Sequence, residues 1–599
     1  MDVTSAGHQP MISRCGRYII VFNGEIYNHA QLREELGSNG YIFRGHSDTE
    51  VLLASVAEWG IETALIRLVG MFAIGLWDRT ERSLCLARDR LGEKPLYYCK
   101  TRSGMAFGSE LKALAVAPGW EGEIDPRAAG LFLRFGYIPS PFCIYKGVSK
   151  LPTGSWLRIQ FDQAGEVHNL VPSRYWDLRT VIATAGENPF RGTDAEAICE
   201  LDRLLNQAIQ GQMLADVPVG AFLSGGIDSS TIVAIMQRHA SKPVRTFTIG
   251  FADQKFDEAR YSSRVAEHLG ADHTELMVGK ADIQSIVPKL PLIYDEPFGD
   301  SSQIPTFLVS ALARRSVTVS LSGDGGDELF CGYNSYFRAG RLWPRLALAP
   351  VSMRRRVAAL LGKFAAGSVG QRPGGWLDLL RNRSGRAAEI VAEGSREQFF
   401  KAAMSQWRNT EAIVTGGTPV STVYDECAVG LQSYWDWMMQ ADTRCYLPDD
   451  ILVKVDRAAM AASLETRVPM LDHRIVEFAW RLPFRFKVRD GVGKWILRQI
   501  LYKHVPAEMV DRPKMGFSVP LDKWLRTDLR DWAEALLSEQ ALQAAGIINV
   551  HVVRREWEAF LSGSRIPPGR IWNVLMFQAW LECYHRHSKW TSSAPSLSP

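Results

Sequence analysis

Two glycine-rich turns, each directly following a short apolar run, constrain this 599-residue chain more than any other feature. The first, Ser224-Gly225-Gly226-Ile227-Asp228-Ser229-Ser230, follows a strand expected over 217–223 and leads into a helix expected over 229–239. The second, Ser322-Gly323-Asp324-Gly325-Gly326-Asp327-Glu328, follows a strand expected over 317–321. Between them come strand 244–250, helix 258–269 stopped by Gly270, strand 275–278 and a further helix. A helix over 195–213 precedes the series, with Leu201, Leu204, Leu205, Ala208 and Ile209 on one face. Such alternation marks an α/β fold with a doubly wound parallel sheet. Ligands of these sheets bind beyond the carboxyl ends of the strands, where both turns fall.

The chain is too long for one core, so a second domain is expected. Residues 1–180 read as a β-rich α+β domain. Strands over 18–22 and 26–27 flank an Asn23-Gly24 turn, and strands over 72–77 and 84–88 alternate as half-buried strands do. Helices fall near 31–36 and 50–59, the second opening at Asp48 as a cap, and strand-like segments continue to about Ile159. The polar stretch 183–193 reads as a linker. The α/β domain then occupies 195–590 with a largely helical remainder, and the Ser/Pro-rich 591–599 is expected to be a disordered tail.

A formal net charge of +4 is small for this length and predicts no nucleic-acid or membrane partner. No apolar run approaches a membrane span, and the start lacks a signal-peptide layout. Nine cysteines, scattered singly without a C-x-x-C pair, argue against a disulfide framework or structural zinc and suit a reducing cytoplasm. Cys85, Cys99, Cys143 and Cys199 read as core or near-surface thiols, and His585 and His587 as surface residues.

In the first turn, glycines let the backbone approach an anion, while hydroxyls and a helix N-terminus supply donors to phosphate oxygens. Asp228 would repel a phosphate unless a divalent cation lay between them. The Walker A spacing is absent. In the second turn, three acidic residues among glycines need a cation or a proton-transfer role to offset their repulsion.

The SGGIDSS turn resembles the pyrophosphate loop of the N-type ATP pyrophosphatases. With DEPFGDSS (295–302), SGDGGDE, LETRVPMLD (464–472) and RPKMGF (512–517), the chain resembles glutamine-dependent asparagine synthetases. GHQPM (7–11), FNGEIYN (22–28), GHSDTE (45–50) and RDRLGEKPLYY (88–98) resemble that family's glutaminase domain, a truncated N-terminal-nucleophile αββα sandwich here.

The resemblance implies ATP and Mg2+ as cofactors. It implies that Ser224, Gly225, Gly226, Asp228, Ser229 and Ser230 hold the triphosphate, with Asp228 and Asp327 facing magnesium. Leu223, Ile249, Ser322 and Gly323 would border the adenosine. Asp324, where the family often has Glu, would support the acyl-adenylate and ammonia steps, and Lys514 would stabilise charge as the acyl-adenylate forms. Asp456 and Arg467 would line the acceptor carboxylate site. Asn23 and Gly24 take the oxyanion-hole positions of the glutaminase, with Glu25 beside them and Asp48 where the glutamine amino group is held.

Family members begin Met-Cys-Gly-Ile, and the cysteine exposed by loss of Met is the glutaminase nucleophile, with its own α-amine as base. This chain joins the pattern only at GHQPM, so no glutaminase nucleophile is assigned. Cys15-Gly16 copies the Cys-Gly start but sits inside the chain, without a free α-amine. Two explanations are set against each other: a start codon placed downstream of the true one, or a synthetase running on free ammonia.

The reading is aspartate plus ATP plus glutamine or ammonia giving asparagine, AMP and pyrophosphate through a β-aspartyl-AMP intermediate. A second enzyme reading amidates another carboxylate, such as a sugar uronate in surface-polysaccharide assembly. Segment 132–157 and the helical C-terminal part would then give room for a larger acceptor. A reading of another class is an inactive scaffold or regulator. The partners implied are small molecules, with no nucleic acid, no membrane insertion, and a homodimer as the assembly to test.

Overall fold

The computed structural model describes residues 5–591 except 103, 163–166, 169, 252, 254–256, 367–387, 389, 427–430, 432, 513–515, 518 and 565. Lys514 and the Ser/Pro-rich tail beyond Thr591 lie outside the described residues, as do the side chains of His585 and His587.

The first strands are β1 (Met11–Ile12) and β2 (Tyr18–Ile26), followed by helices α1 (His29–Ser38) and α2 (Asp48–Trp59). Then come β3 (Gly70–Asp78), β4 (Ser83–Arg88), β5 (Tyr97–Thr101), β6 (Gly104–Gly108), α3 (Pro126–Phe135), β7 (Val148–Lys150), β8 (Ser155–Phe161), β9 (Val167–His168) and β10 (Ser173–Arg174). The larger sheet has the order β1-β2-β3-β4-β8-β10 with β9 on β8, and the smaller is β6-β5-β7. Ile20, Phe72, Ile74 and Leu76 pack against α1 and α2 on one face of the larger sheet. Ala73, Leu86, Leu157 and Ile159 meet Tyr98 of the smaller sheet on the other. Tyr97 and Cys99 on the reverse of the smaller sheet pack with Phe132 of α3, which completes four layers, α/β/β/α.

Asn23-Gly24 is not a turn. Both lie inside β2, where Asn23 pairs with Ala73 and Gly24 with Phe72. The glycine is needed because a Cβ there would run into the Met71 carbonyl. Nor is Asp48 the helix cap. Ser47 takes that position, its side chain accepting from Thr49 N.

The expected linker is half helical. Asp177 caps α4 (Leu178–Glu187), and Thr193 and Glu196 form a capping box that opens α5 (Asp194–Met213). The series continues with β11 (Val219–Phe222), α6 (Ile227–His239), β12 (Arg245–Phe251), α7 (Ala259–Leu269), β13 (Asp272–Val278), α8 (Gln303–Arg314) and β14 (Val319–Leu321). Gly270, left-handed, ends α7. Helices α9 (Asn334–Ala347), α10 (Val351–Ala366) and α11 (Leu452–Ala461) follow, then β15 (Glu465–Arg467), α12 (Trp495–Leu501) and α13 (Pro568–Thr591).

These strands form one five-stranded sheet, order β13-β12-β11-β14-β15, parallel throughout. From β11 the chain winds outward through β12 and β13, then returns to the other side of β11 with β14. The direction reverses between β11 and β14, and a crevice opens beyond their carboxyl ends. No strand of 1–176 pairs with this sheet among the described residues. The apolar core nevertheless runs across: Phe132 of α3 stacks on Phe577 of α13 at 6.1 Å. Phe132 and Leu157 are fully buried, so segment 132–157 is packing rather than the roomy acceptor wall expected of it.

Candidate active site

Both glycine-rich turns open into one cavity of about 550 Å³ at the β11/β14 crevice. In the first, left-handed Gly225 packs so closely on Tyr261 and Ser262 that a Cβ would collide with their backbone. Ser229 Oγ accepts from Ser224 N at 3.2 Å and lies 3.0 Å from Ser224 Oγ, which holds two hydroxyls at the mouth of α6. Asp228 sits in the first turn of that helix. In the second turn, Gly323 lies against the Asp228–Ser229 backbone and Gly326 against the Asp228 carboxylate, both too close for a Cβ. The two loops therefore interlock through their glycines. Ser322 Oγ donates to Asp324 Oδ2 at 2.5 Å.

Lys494 unites the loops. Its Nζ is 2.6 Å from Asp327 Oδ1 and also ion-pairs with Asp228. Lys494 precedes α12 in a left-handed conformation, and its amide donates to Phe330 O at 2.9 Å. Gly332 supplies the bare backbone over which the side chain lies, since a Cβ there would meet both Lys494 Cε and Asp327 Oδ1. One ammonium serves two carboxylates, and Asp228 Oδ1 is buried without a hydrogen-bond partner. That excess of negative charge fits a magnesium ion, which takes one or two carboxylates and completes its shell with phosphate oxygens and water.

Around this centre, Arg512 donates to the Ser224 carbonyl at 3.1 Å and to Glu258 at 3.2 Å. Lys454 of α11 lines the cavity and donates to Asp300 at 2.7 Å. Glu328 accepts from Tyr333 OH at 2.6 Å. Burial and the neighbouring Asp327 push its carboxyl up to about 8, so it is largely protonated at neutral pH.

The amino-terminal motifs gather elsewhere. Asn23 Nδ2 donates to Ser109 Oγ at 3.0 Å, and Asp48 accepts from the amides of Ile26 and Thr49. Glu25 lies 3.5 Å from Arg467. Burial, reinforced by Asp48, pushes Glu25 up to about 7 against the opposing pull of Arg467. The RDRLGEKP loop is built on buried Asp89, which accepts from the amides of Leu91, Gly92, Glu93 and Lys94.

Sequence comparison agrees with this division. The profile described as "Asparagine synthase" matches residues 200–582, and that described as "Glutamine amidotransferase domain" matches residues 1–176. The chain belongs to the asparagine synthase family. Asparagine synthetase (glutamine-hydrolyzing) 1 of Bacillus subtilis is 33% identical over 583 residues, covering 97% of this chain and 88% of that one. A provisionally named asparagine synthetase of Mycobacterium tuberculosis is 36% identical, covering 97% and 87%. Amidase chyE of Penicillium rubens is 25% identical, covering 92% and 84%.

Among the residues assigned by likeness to asparagine synthetases, Leu223, Ser224, Gly226, Asp228, Ser229, Ile249, Ser322, Gly323, Asp324 and Asp327 line the one cavity. Gly225 and Ser230 do not, Ser230 being fully buried. Asp456 and Arg467 are not brought there either. Asp456 is buried against Lys94 at 2.8 Å, and Arg467 is spent on Glu465, Glu25 and the carbonyls of Gln212 and Leu214. Both residues join the two parts of the chain through buried ion pairs. Lys494, Lys454 and Arg512 were assigned no role from sequence. For Lys494 a signal existed: Gly491-Val492-Gly493-Lys494 opens a helix just as the SGGIDSS turn does.

Proposed function

We propose that this family member is an ATP-dependent ligase that adenylates a carboxylate and aminates it, with aspartate as the acceptor and asparagine as the product. The observation that carries the reading is the joining of two anion-type turns, at adjacent strand ends, by Asp228, Asp327 and Lys494.

A carboxylate resists ammonia because its charge repels nucleophiles and oxide is too poor a leaving group. Its oxygen attacks the α-phosphorus of ATP, the bond to the β-phosphate oxygen breaks, and pyrophosphate leaves. Ammonia then adds to the acyl carbon, loses a proton, and expels AMP with its oxygen. The Ser224–Ser229 turn and the α6 N-terminus supply donors to the phosphates. Lys494 and Lys514 are the cations for charge developing at the α-phosphate. Magnesium held by Asp228 and Asp327 would neutralise the departing pyrophosphate. Asp324 is the acidic group proposed to support the acyl-adenylate and ammonia steps, with Ser322 fixing its carboxylate.

The nitrogen reaches the acyl carbon as ammonia. Asn23, Gly24, Glu25 and Asp48 are the proposed glutamine-binding set. Cys15, the thiol nearest them in sequence, is exposed and hydrogen-bonded to Ser13.

A second reading, another carboxylate as acceptor, rests on the cavity wall of Tyr333, Phe337 and Arg341, an aromatic and cationic surface the phosphate chemistry does not use. Incubation with ATP, magnesium, ammonium and a panel of carboxylates, scored by AMP release, tests both. Release with aspartate supports the first, and release only with a larger carboxylate supports the second.

A further inference from the structure

Residues 334–366 hold seven arginines and lysines and no aspartate or glutamate. They form α9 and α10, joined by residues 348–350. Arg338, Leu342 and Arg345 fall at i, i+4 and i+7 on α9, share one face, and are all exposed. Met353, Val357 and Leu360 fall at i, i+4 and i+7 on α10 and are 58%, 40% and 67% exposed. Exposed Arg356 and Lys363 each follow a member of that stripe by three residues and flank it. Leu348, between the helices, is 87% exposed.

The inward positions behave differently. Arg354 is buried, donating to the carbonyls of Ala349 and Glu393 with its guanidinium 5.2 Å from the Trp343 ring, and Ala358 is buried beside it. The helices are therefore anchored by one face and present an apolar stripe edged with cations on the other.

A contiguous exposed apolar patch of this kind marks an interaction surface. A nucleic acid would use the cations and leave the apolar stripe without a role. An anionic lipid surface uses both, because headgroups meet the arginines while Leu, Met and Val enter the acyl boundary. The whole-chain charge of +4 conceals this by averaging a local excess over 599 residues. No described helix is long and apolar enough to cross a membrane, so contact would be by lying on the surface. We propose that the α9–α10 pair docks the protein on an anionic phospholipid membrane. Since Asn334 and Phe337 at the start of α9 also line the cavity, docking holds the cavity close to that surface.

The test is flotation of the full chain with vesicles of phosphatidylglycerol mixed with phosphatidylcholine, against phosphatidylcholine alone. Binding to the mixed vesicles at low salt, weakened by added salt, is expected. Replacing Leu348, Met353 and Leu360 together by Ser, or Arg356 and Lys363 together by Glu, should weaken it by about tenfold or more. These side chains lie outside the cavity, so AMP release by the variants checks that they fold. Absence of binding to anionic vesicles at low salt would overturn the proposal. So would equal binding to neutral vesicles, or binding by either variant at wild-type strength. Retention on RNA or polyglutamate without vesicle binding would assign the surface to another polyanion and equally refute it.

Discussion

Lys494 Nζ lies 2.6 Å from Asp327 Oδ1 while ion-pairing with Asp228, so one ammonium closes the gap between two turns nearly a hundred residues apart. The side chain is 6% exposed and has no slack, because Gly332 is the only residue type that leaves it room. A charge held this firmly among phosphate-type donors is preorganised for a reaction in which charge develops.

Lys494→Ala should lower carboxylate-dependent ATP–pyrophosphate exchange by about a hundredfold or more, the effect of removing one preorganised charge at a transition state. Nucleotide binding should persist, supported by the backbone and hydroxyl donors of the first turn. Near-normal exchange would reduce Lys494 to a structural counter-ion.

Asp228→Asn and Asp327→Asn should each abolish exchange at ordinary magnesium, with partial recovery as magnesium is raised. The shape is kept, while the carboxylate charge that would hold magnesium and that pairs with Lys494 is lost. Exchange with unaltered magnesium dependence in both variants would remove the metal assignment.

The two parts of the chain are joined by buried charge. Lys94 and Asp456 pair at 2.8 Å with side chains 5% and 9% exposed. Removing one partner strands the other, so Lys94→Met should destabilise by about 3–5 kcal/mol. Lys94→Met with Asp456→Leu should recover most of the loss. Urea midpoints of the wild type and the two variants measure this, and equal stability of the single and double variants would show that the pair is inert.

Glu25 supplies a pH signature. Its carboxyl rises from 4.5 to about 7 in the fold, so the folded state holds a proton that the unfolded chain releases. Stability from this group is full below about 4.5 and falls as pH rises to about 7. Glu25→Gln should flatten that fall, gaining on the wild type toward neutral pH. A Gln variant whose stability tracks the wild type from pH 4.5 to 7.5 would contradict the shift.

Much of this site is legible in sequence because strand, glycine turn and helix follow one another locally, as at 219–239. What sequence hides is long-range. Asn23-Gly24 has the composition of a hairpin turn, yet its glycine is there for close approach to Met71 across the sheet. Arg467 sits in the LETRVPMLD motif and Asp456 shortly before it, and only the fold reveals Glu25 and Lys94 as their partners. Lys494 stands 266 positions after Asp228, a separation over which no local pattern signals contact.

The nucleotide released tests the central claim most directly. With ATP, magnesium, ammonium and aspartate, the chain should form AMP and pyrophosphate in step with asparagine, and should form neither when the carboxylate is omitted. Release of ADP and orthophosphate instead, or AMP formation undiminished in Asp228→Asn and Asp327→Asn, would contradict the account.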